Sequence, residues 1–146
     1  MNFWVSYMAY WLCVTNEENW EVIRDKLVWG VPSRRRKLIE QVKPGDILII
    51  YVKPKRIGGI FKVTSELYED HVPIFSWAEY GRVEVFPLRV KLEPTIIPTR
   101  VMDIGHIIRN LSFAKGKTRW TALLRRGMVR LTEEDYDLIV RCLRKS

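Results

Sequence analysis

Lys43-Pro44-Gly45-Asp46-Ile47-Leu48-Ile49-Ile50-Tyr51-Val52 decides the fold. Proline presets φ in a tight turn, and the following glycine is free to take φ > 0. The turn delivers six consecutive apolar residues, the length and composition of a fully buried strand. Upstream, Tyr10-Trp11-Leu12-Cys13-Val14 has the same composition and predicts a second buried strand. Between the two, Asn16 suits a helix N-cap, with Glu17 and Glu18 in the first turn and Trp20, Ile23 and Leu27 at helical spacing. Ser33 is placed to cap a second helix in which Leu38, Ile39 and Val42 face the core, ending before Pro44.

Downstream, Lys53-Pro54-Lys55-Arg56 reads as a loop into a strand at residues 58–65. That strand opens on Gly58-Gly59, which permits close approach of a ligand or a neighbouring chain. Residues 69–81, with Phe75, Trp77 and Tyr80 and with Tyr68 just before, read as a loop with exposed aromatics. Val83, Val85, Leu88, Val90 and Leu92 alternate with charges, a half-exposed strand over 82–92 bent at Pro87. A helical stretch follows over Asp103 to Leu111, then a basic loop from Ala114 to Arg119. A last helix over 132–144 starts at Thr132, with Asp135 in the capping-box position and a stripe of Tyr136, Ile139, Val140 and Leu143. The strands at 10–14, 47–52, 58–65 and 82–92 are expected in one curved sheet with helices around it, an α+β class. No linker, repeat or low-complexity segment divides the chain, so residues 1–146 read as one domain.

The chain carries a formal net charge of +8 with 47% apolar residues, enough for a core. The charge is uneven. From Arg100 to Arg130 stand eight cations (Arg100, Arg109, Lys115, Lys117, Arg119, Arg125, Arg126, Arg130) against Asp103 alone, +7 in 31 residues. Such asymmetry points to a polyanionic partner. Anionic lipid competes, but the segment is no clean amphipathic helix. One Gln and four Asn beside abundant Arg, Lys and Glu lean towards a thermophile.

Enzyme constellations are missing from the sequence. There is no P-loop and no GxGxxG. His71 falls on a loop and His106 in a helical stretch, with no second ligand at metal spacing; surface or capping roles suit both. Cys13 and Cys142 read as small core hydrophobes, making neither a metal motif nor a disulfide framework. The acidic clusters Glu17/Glu18 and Glu133/Glu134/Asp135 are helix N-termini, stabilising without a catalytic role. The apolar residues 1–14 lack a positive n-region and a cleavage site and are too short to span a bilayer, which leaves a cytoplasmic protein as the expectation. A binding role without catalysis, metal or cofactor is the expectation.

Trp29-Gly30-Val31-Pro32 precedes the basic run Ser33-Arg34-Arg35-Arg36-Lys37. An indole on a loop bounded by Gly30 and Pro32 is not packed all round by its neighbours, and the adjoining cations can hold phosphates. Aromatic faces stack on bases while Arg and Lys grip the nucleic-acid backbone. The plainer alternative is a core tryptophan followed by a solvated basic helix face.

The order of these pieces, from Tyr10-Trp11-Leu12 through Trp29-Gly30-Val31 and Pro44-Gly45-Asp46 to Gly58-Gly59-Ile60-Phe61-Lys62-Val63 and Tyr80-Gly81-Arg82-Val83-Glu84-Val85, resembles the EVE domain. That family belongs to the PUA-like superfamily and is related to YTH domains; the resemblance runs from about residue 10 to residue 131 and extends to small archaeal members. It implies a PUA-like curved mixed β-barrel flanked by helices, with an aromatic pocket on one side. In YTH domains such a pocket cages a methylated adenine flipped from single-stranded RNA, and EVE domains are associated with modified bases in RNA or DNA. By this resemblance Trp29 is the first cage residue and Tyr80 falls where many relatives carry tryptophan, with Trp77 or Phe75 as a third wall. Thr15, Asn16 and Ser33 are the nearby short polar side chains for a base edge, with helix capping the competing role for Asn16 and Ser33. Arg34, Arg35, Lys55, Arg56, Lys115, Lys117, Arg119, Arg125 and Arg126 are the candidate phosphate ligands. The expected partner is RNA or DNA, single-stranded or with a flipped base, and no membrane. The alternatives are a structural or protein-interaction module and an accessory subunit of a nucleic-acid-modifying complex. The position of the Arg100–Arg130 cations relative to Trp29 separates these readings.

Overall fold

A computed structural model describes residues 8–76 and 85–145. The turn at Lys43–Asp46 forms as its sequence requires: Asp46 N–H donates to Lys43 O at 3.0 Å, and Gly45 sits at φ 95°. The buried Asp46 carboxylate then accepts from the backbone N–H groups of Ala9 and Lys43, each at 3.0 Å, and from Trp11 Nε1 at 3.3 Å. One turn residue thereby ties together the starts of two strands, β1 (Tyr10–Thr15) and β3 (Ile47–Val52). These run parallel, Tyr10 opposite Ile47 and Thr15 opposite Val52.

The crossover between them is α1 (Glu17–Lys26), β2 (Val28–Val31) and α2 (Arg36–Ile39). Asn16 caps α1 by accepting from Asn19 N–H at 2.8 Å. The helix ends with Leu27 in the left-handed region at φ 54°, a position that usually falls to glycine and costs a branched residue about 1–2 kcal/mol. Leu27 O accepts from Leu92 N–H at 2.9 Å, which holds that geometry. The chain therefore passes from helix to strand with no loop between.

The remaining strands are β4 (Arg56–Val63), β5 (Tyr68–Glu69), β6 (Leu88–Ile96), β7 (Met102–Asp103) and β8 (Met128–Leu131). The sheet order is β2-β6-β4-β3-β1-β8, with β5 on β6 and β7 on β4. All ladders but β1–β3 are antiparallel. Register shifts at Ile50/Tyr51 and at Ile60/Phe61 strengthen the local twist. The sheet curls into a half-barrel flanked by helices, a PUA-like α+β fold.

Period-2 alternation sends the strand residues to two apolar clusters. Trp11, Cys13, Leu48, Ile50, Val52, Phe61, Val90 and Met128 join Trp20 and Ile23 of α1 on one side. Leu12, Ile47, Ile49, Tyr51 and Ile60 meet the segment 104–120 and α4 (Glu133–Arg144) on the other. Both faces of β3 are covered, which is why its sequence shows no polar alternation. Gly58 is required here: a Cβ would stand 2.7 Å from Trp20, whose indole lies on the strand.

Several expectations need correcting. The strand expected over 82–92 starts at Leu88, after Pro87, and runs on to Ile96; residues 82–84 lie outside the described residues. The second helix is reduced to a 3-10 turn (Ser33–Arg35) and the one-turn α2, and Ser33 makes no side-chain cap because Pro32 and three successive cations offer no helix start. The helical stretch over Asp103–Leu111 is one 3-10 turn, Ile108–Asn110, since Met102–Asp103 pairs with β4 instead. Trp29 belongs to β2 opposite Val90, not to a loop, because Leu27 makes the reversal two residues earlier. α3 (Thr121–Leu124) and β8 complete the basic region. Thr132 and Asp135 form the capping box of α4 as expected. Among the described residues no helix is long and apolar enough to cross a membrane.

Candidate nucleic-acid interface

The two end strands of the sheet, β2 and β8, come back towards one another as it curls. Trp29 Nε1–H donates to Met128 Sδ across the gap at 3.4 Å. A pocket lies along this seam with an empty volume of about 510 Å³ including its open mouth. Its walls include Thr15 at the end of β1, Trp29 to Pro32 from β2, and Arg125 to Gly127 leading into β8. Trp29 is only 4% exposed, so its indole is both core and pocket wall.

Four arginines line the pocket, Arg34 and Arg35 from one lip and Arg125 and Arg126 from the other. Arg35 Nη2 donates to Arg125 O at 3.2 Å, which bridges the lips. Among the described residues that line it there is no carboxylate. Like charges gathered in a partly desolvated site raise its energy until an anion enters. Thr15, a buried residue, lines the same pocket.

Phe75 completes the wall, and it is buried rather than exposed. Two straps that the sequence reading missed hold it there. Asn19 exchanges two hydrogen bonds with the Ser76 backbone, Nδ2 donating to O and Oδ1 accepting from N–H, both at 2.7 Å. Arg89, 1% exposed, donates from Nε to Phe86 O at 3.0 Å and from Nη2 to Val72 O at 2.5 Å and Val85 O at 3.1 Å. Its guanidinium also pairs with Asp70 at 3.4 Å and lies 5.5 Å from the Phe75 ring centroid. Phe86 meets Phe75 edge-on at 5.7 Å. Gly30 makes room beneath, since a Cβ there would stand 2.7 Å from Phe75 Cε2 and 3.0 Å from Phe86 O. Asn19 was legible in principle, lying beside Trp20 and four residues before Ile23 on the buried stripe. Arg89 was not, because it alternates with Leu88 and Val90 like any outward charge.

Of the sequence-derived candidates, Trp29, Phe75, Thr15, Arg34, Arg35, Arg125 and Arg126 line this one pocket. Trp77 and Tyr80 lie outside the described residues. Asn16 does not line the pocket, its side chain being engaged at the α1 cap. Ser33 falls in an adjoining hollow with Arg34, His71 and Phe86. Lys55 stands on the β3–β4 connection and Arg56 opens β4, where it pairs with Glu17 at 2.5 Å. Lys115, Lys117 and Arg119 are exposed on the segment before α3 and do not line the pocket. Among the described residues no group of three or more His, Cys, Asp or Glu is placed to hold a metal.

The EVE domain family model matches residues 9–142. A UPF0310 protein of Pyrococcus abyssi is 42% identical over 142 residues, covering 90% of this chain and 97% of its own. A UPF0310 protein of Saccharolobus solfataricus is 35% identical over 150 residues, covering 95% and 97%. Solved structures with the same fold include a protein from Leishmania major, with TM-score 0.65 at 15% identity over 95% of this chain and 96% of that one. They also include the YTH domain-containing protein mmi1 solved with RNA, with TM-score 0.58 at 13% identity over 93% and 81%.

Proposed function

Since this chain belongs to the EVE domain family, we propose that it binds single-stranded nucleic acid and takes one modified base into the seam pocket. The observation that carries this reading is the gathering of Trp29, Phe75 and four arginines around one opening without a carboxylate among the described wall residues. A base that leaves its stack needs π-faces in return, and each such contact contributes ~1–3 kcal/mol. A methyl group buried against the rings adds about 0.8 kcal/mol. The Thr15 hydroxyl offers a donor or acceptor to the base edge, and the arginine pairs hold phosphates on either side of it. That a YTH domain of the same fold was solved with RNA supports RNA as the nucleic acid.

Trp29's burial favours the competing reading, in which the indole is core alone and the fold serves protein contacts. A panel of single-stranded RNA and DNA oligonucleotides, each with one defined base modification, separates the two. The reading requires that one modification bind at least about tenfold tighter than its unmodified parent, a difference of about 1.4 kcal/mol. Equal affinity across the panel refutes the base pocket, and no binding at all refutes the nucleic-acid reading.

A further inference from the structure

On the far side of the sheet from the seam lies a second cavity, open to solvent, between α4 and the stretch from Met102 to Ile107. Its empty volume is about 760 Å³ including the mouth. Met102, Ile107, Leu138 and Cys142 give it apolar walls, and His106, Arg141 and Lys145 are its polar lining. Cys142 is half-buried rather than a core hydrophobe, and its Sγ lies 3.6 Å from His106 Nε2, a contact that ties the two walls together. Leu138, Arg141, Cys142 and Lys145 recur at helical spacing and share one face at the end of α4. Arg141 Nε–H donates to Asp137 O at 3.4 Å, and neither Arg141 nor Lys145 pairs with a carboxylate among the described residues. Asp103, on the opposite wall's strand, does not line the cavity and accepts from Gly105 N–H at 2.7 Å. Arg144 stands at the same helix end outside the cavity and already complements the helix dipole there.

We propose that this cavity binds a small apolar monoanion, a carboxylate carried on a hydrocarbon or aromatic body. The carboxylate sits between Arg141 and Lys145, one helical turn and about 6 Å apart along the axis at ~1.5 Å per residue. The body covers Leu138, Cys142, Met102 and Ile107, surface that otherwise stays in water. The volume falls within the ~300–1,000 Å³ of pockets that hold small ligands. Four apolar side chains, by contrast, fall short of the ~20–30 residues a side of a stable protein interface. A second copy of this chain is a poor occupant, since it brings a net charge of +8 against two unpaired cations. The site shares no residue with the seam pocket and does not depend on it.

The test follows the rate at which a neutral dipyridyl disulfide modifies Cys142 in the reduced full-length protein as octanoate is added. Octanoate is expected to slow the reaction to saturation at one site per chain, while octylammonium gives no protection. The neutral octanamide needs about 5-fold or more higher concentration for the same effect, the contribution of two exposed ion pairs. With Arg141→Gln and Lys145→Gln together the acid and the amide protect alike, whereas Arg144→Gln leaves the preference for the anion in place. Arg125→Gln with Arg126→Gln also leaves it, which separates this cavity from the basic seam. The ring proton resonances of His106 move with octanoate while those of His71 stay, a readout that needs no thiol chemistry. Octanamide as effective as octanoate overturns the proposal. So does a preference that survives the double variant at Arg141 and Lys145, and so does the absence of both protection and His106 shifts. Thermal melting of each variant without ligand separates a lost site from a lost fold.

Discussion

Replacing Arg125 and Arg126 together by glutamine tests how the seam pocket holds its partner. Both residues line the pocket, while the Arg35 bond across the lips goes to the Arg125 backbone carbonyl and survives the change. If all four lining arginines contact phosphates, the log–log salt slope for a single strand is about −2.8, at ~0.7 per contact. Raising salt from about 50 to about 200 mM then weakens binding roughly 50-fold. The double variant keeps two contacts, so its slope falls to about −1.4 and the same change in salt costs roughly 7-fold. Arg56→Gln is the control, because its guanidinium is already engaged with Glu17 and the Lys53 carbonyl away from the pocket. Fluorescence anisotropy with a labelled oligonucleotide at four or five salt concentrations supplies the slopes. An unchanged slope in the double variant refutes the reasoning, and so does an equal drop in Arg56→Gln.

Trp29→Ala should cost ~3–5 kcal/mol of stability, the range for truncating a buried large side chain, read by denaturant unfolding; a cost under ~1 kcal/mol would mean that the indole is not core. Arg89→Met should cost ~3–5 kcal/mol, because Asp70 and three backbone carbonyls lose their buried partner. It should also raise proteolysis around Phe75, and unchanged cleavage there would argue against the strap. Of the two thiols, Cys142 should react with a disulfide reagent in the native protein. Cys13 should stay silent until unfolding, since burial pushes its thiol well above the ordinary range; a second fast equivalent would contradict its placement.

The Pro44-Gly45-Asp46 turn and the apolar runs around it were readable because each signal is local and steric. The helix caps at Asn16 and Thr132 were readable for the same reason. Trp29's strand was hidden because it depends on Leu27 accepting a left-handed geometry that Leu92, far along the chain, helps to hold. Phe75 looked exposed because its burial comes from two polar residues, Asn19 on the buried stripe of α1 and Arg89, which no periodicity marks as interior. The charge excess over Arg100–Arg130 was plain, but only Arg125 and Arg126 among those cations reach the pocket wall. Their partners Arg34 and Arg35 arrive from the other end of the sheet, a closure that sequence spacing does not encode.

The pairing of β1 with β8 sets Tyr10 beside Leu131, so the end strand β8 is joined to the sheet through some of the most distant residues in the chain. Such non-local pairing makes for slow folding, because the loop entropy must be spent before the contact forms. During synthesis β1 and β3 can pair long before β8 has left the ribosome, leaving one edge of β1 with unmatched backbone groups. Over that interval Trp29 has no Met128 and the arginines of the first lip face no second lip. The seam is thus assembled among the last features of the nascent chain, so on the proposed reading a half-made protein holds nucleic acid only weakly.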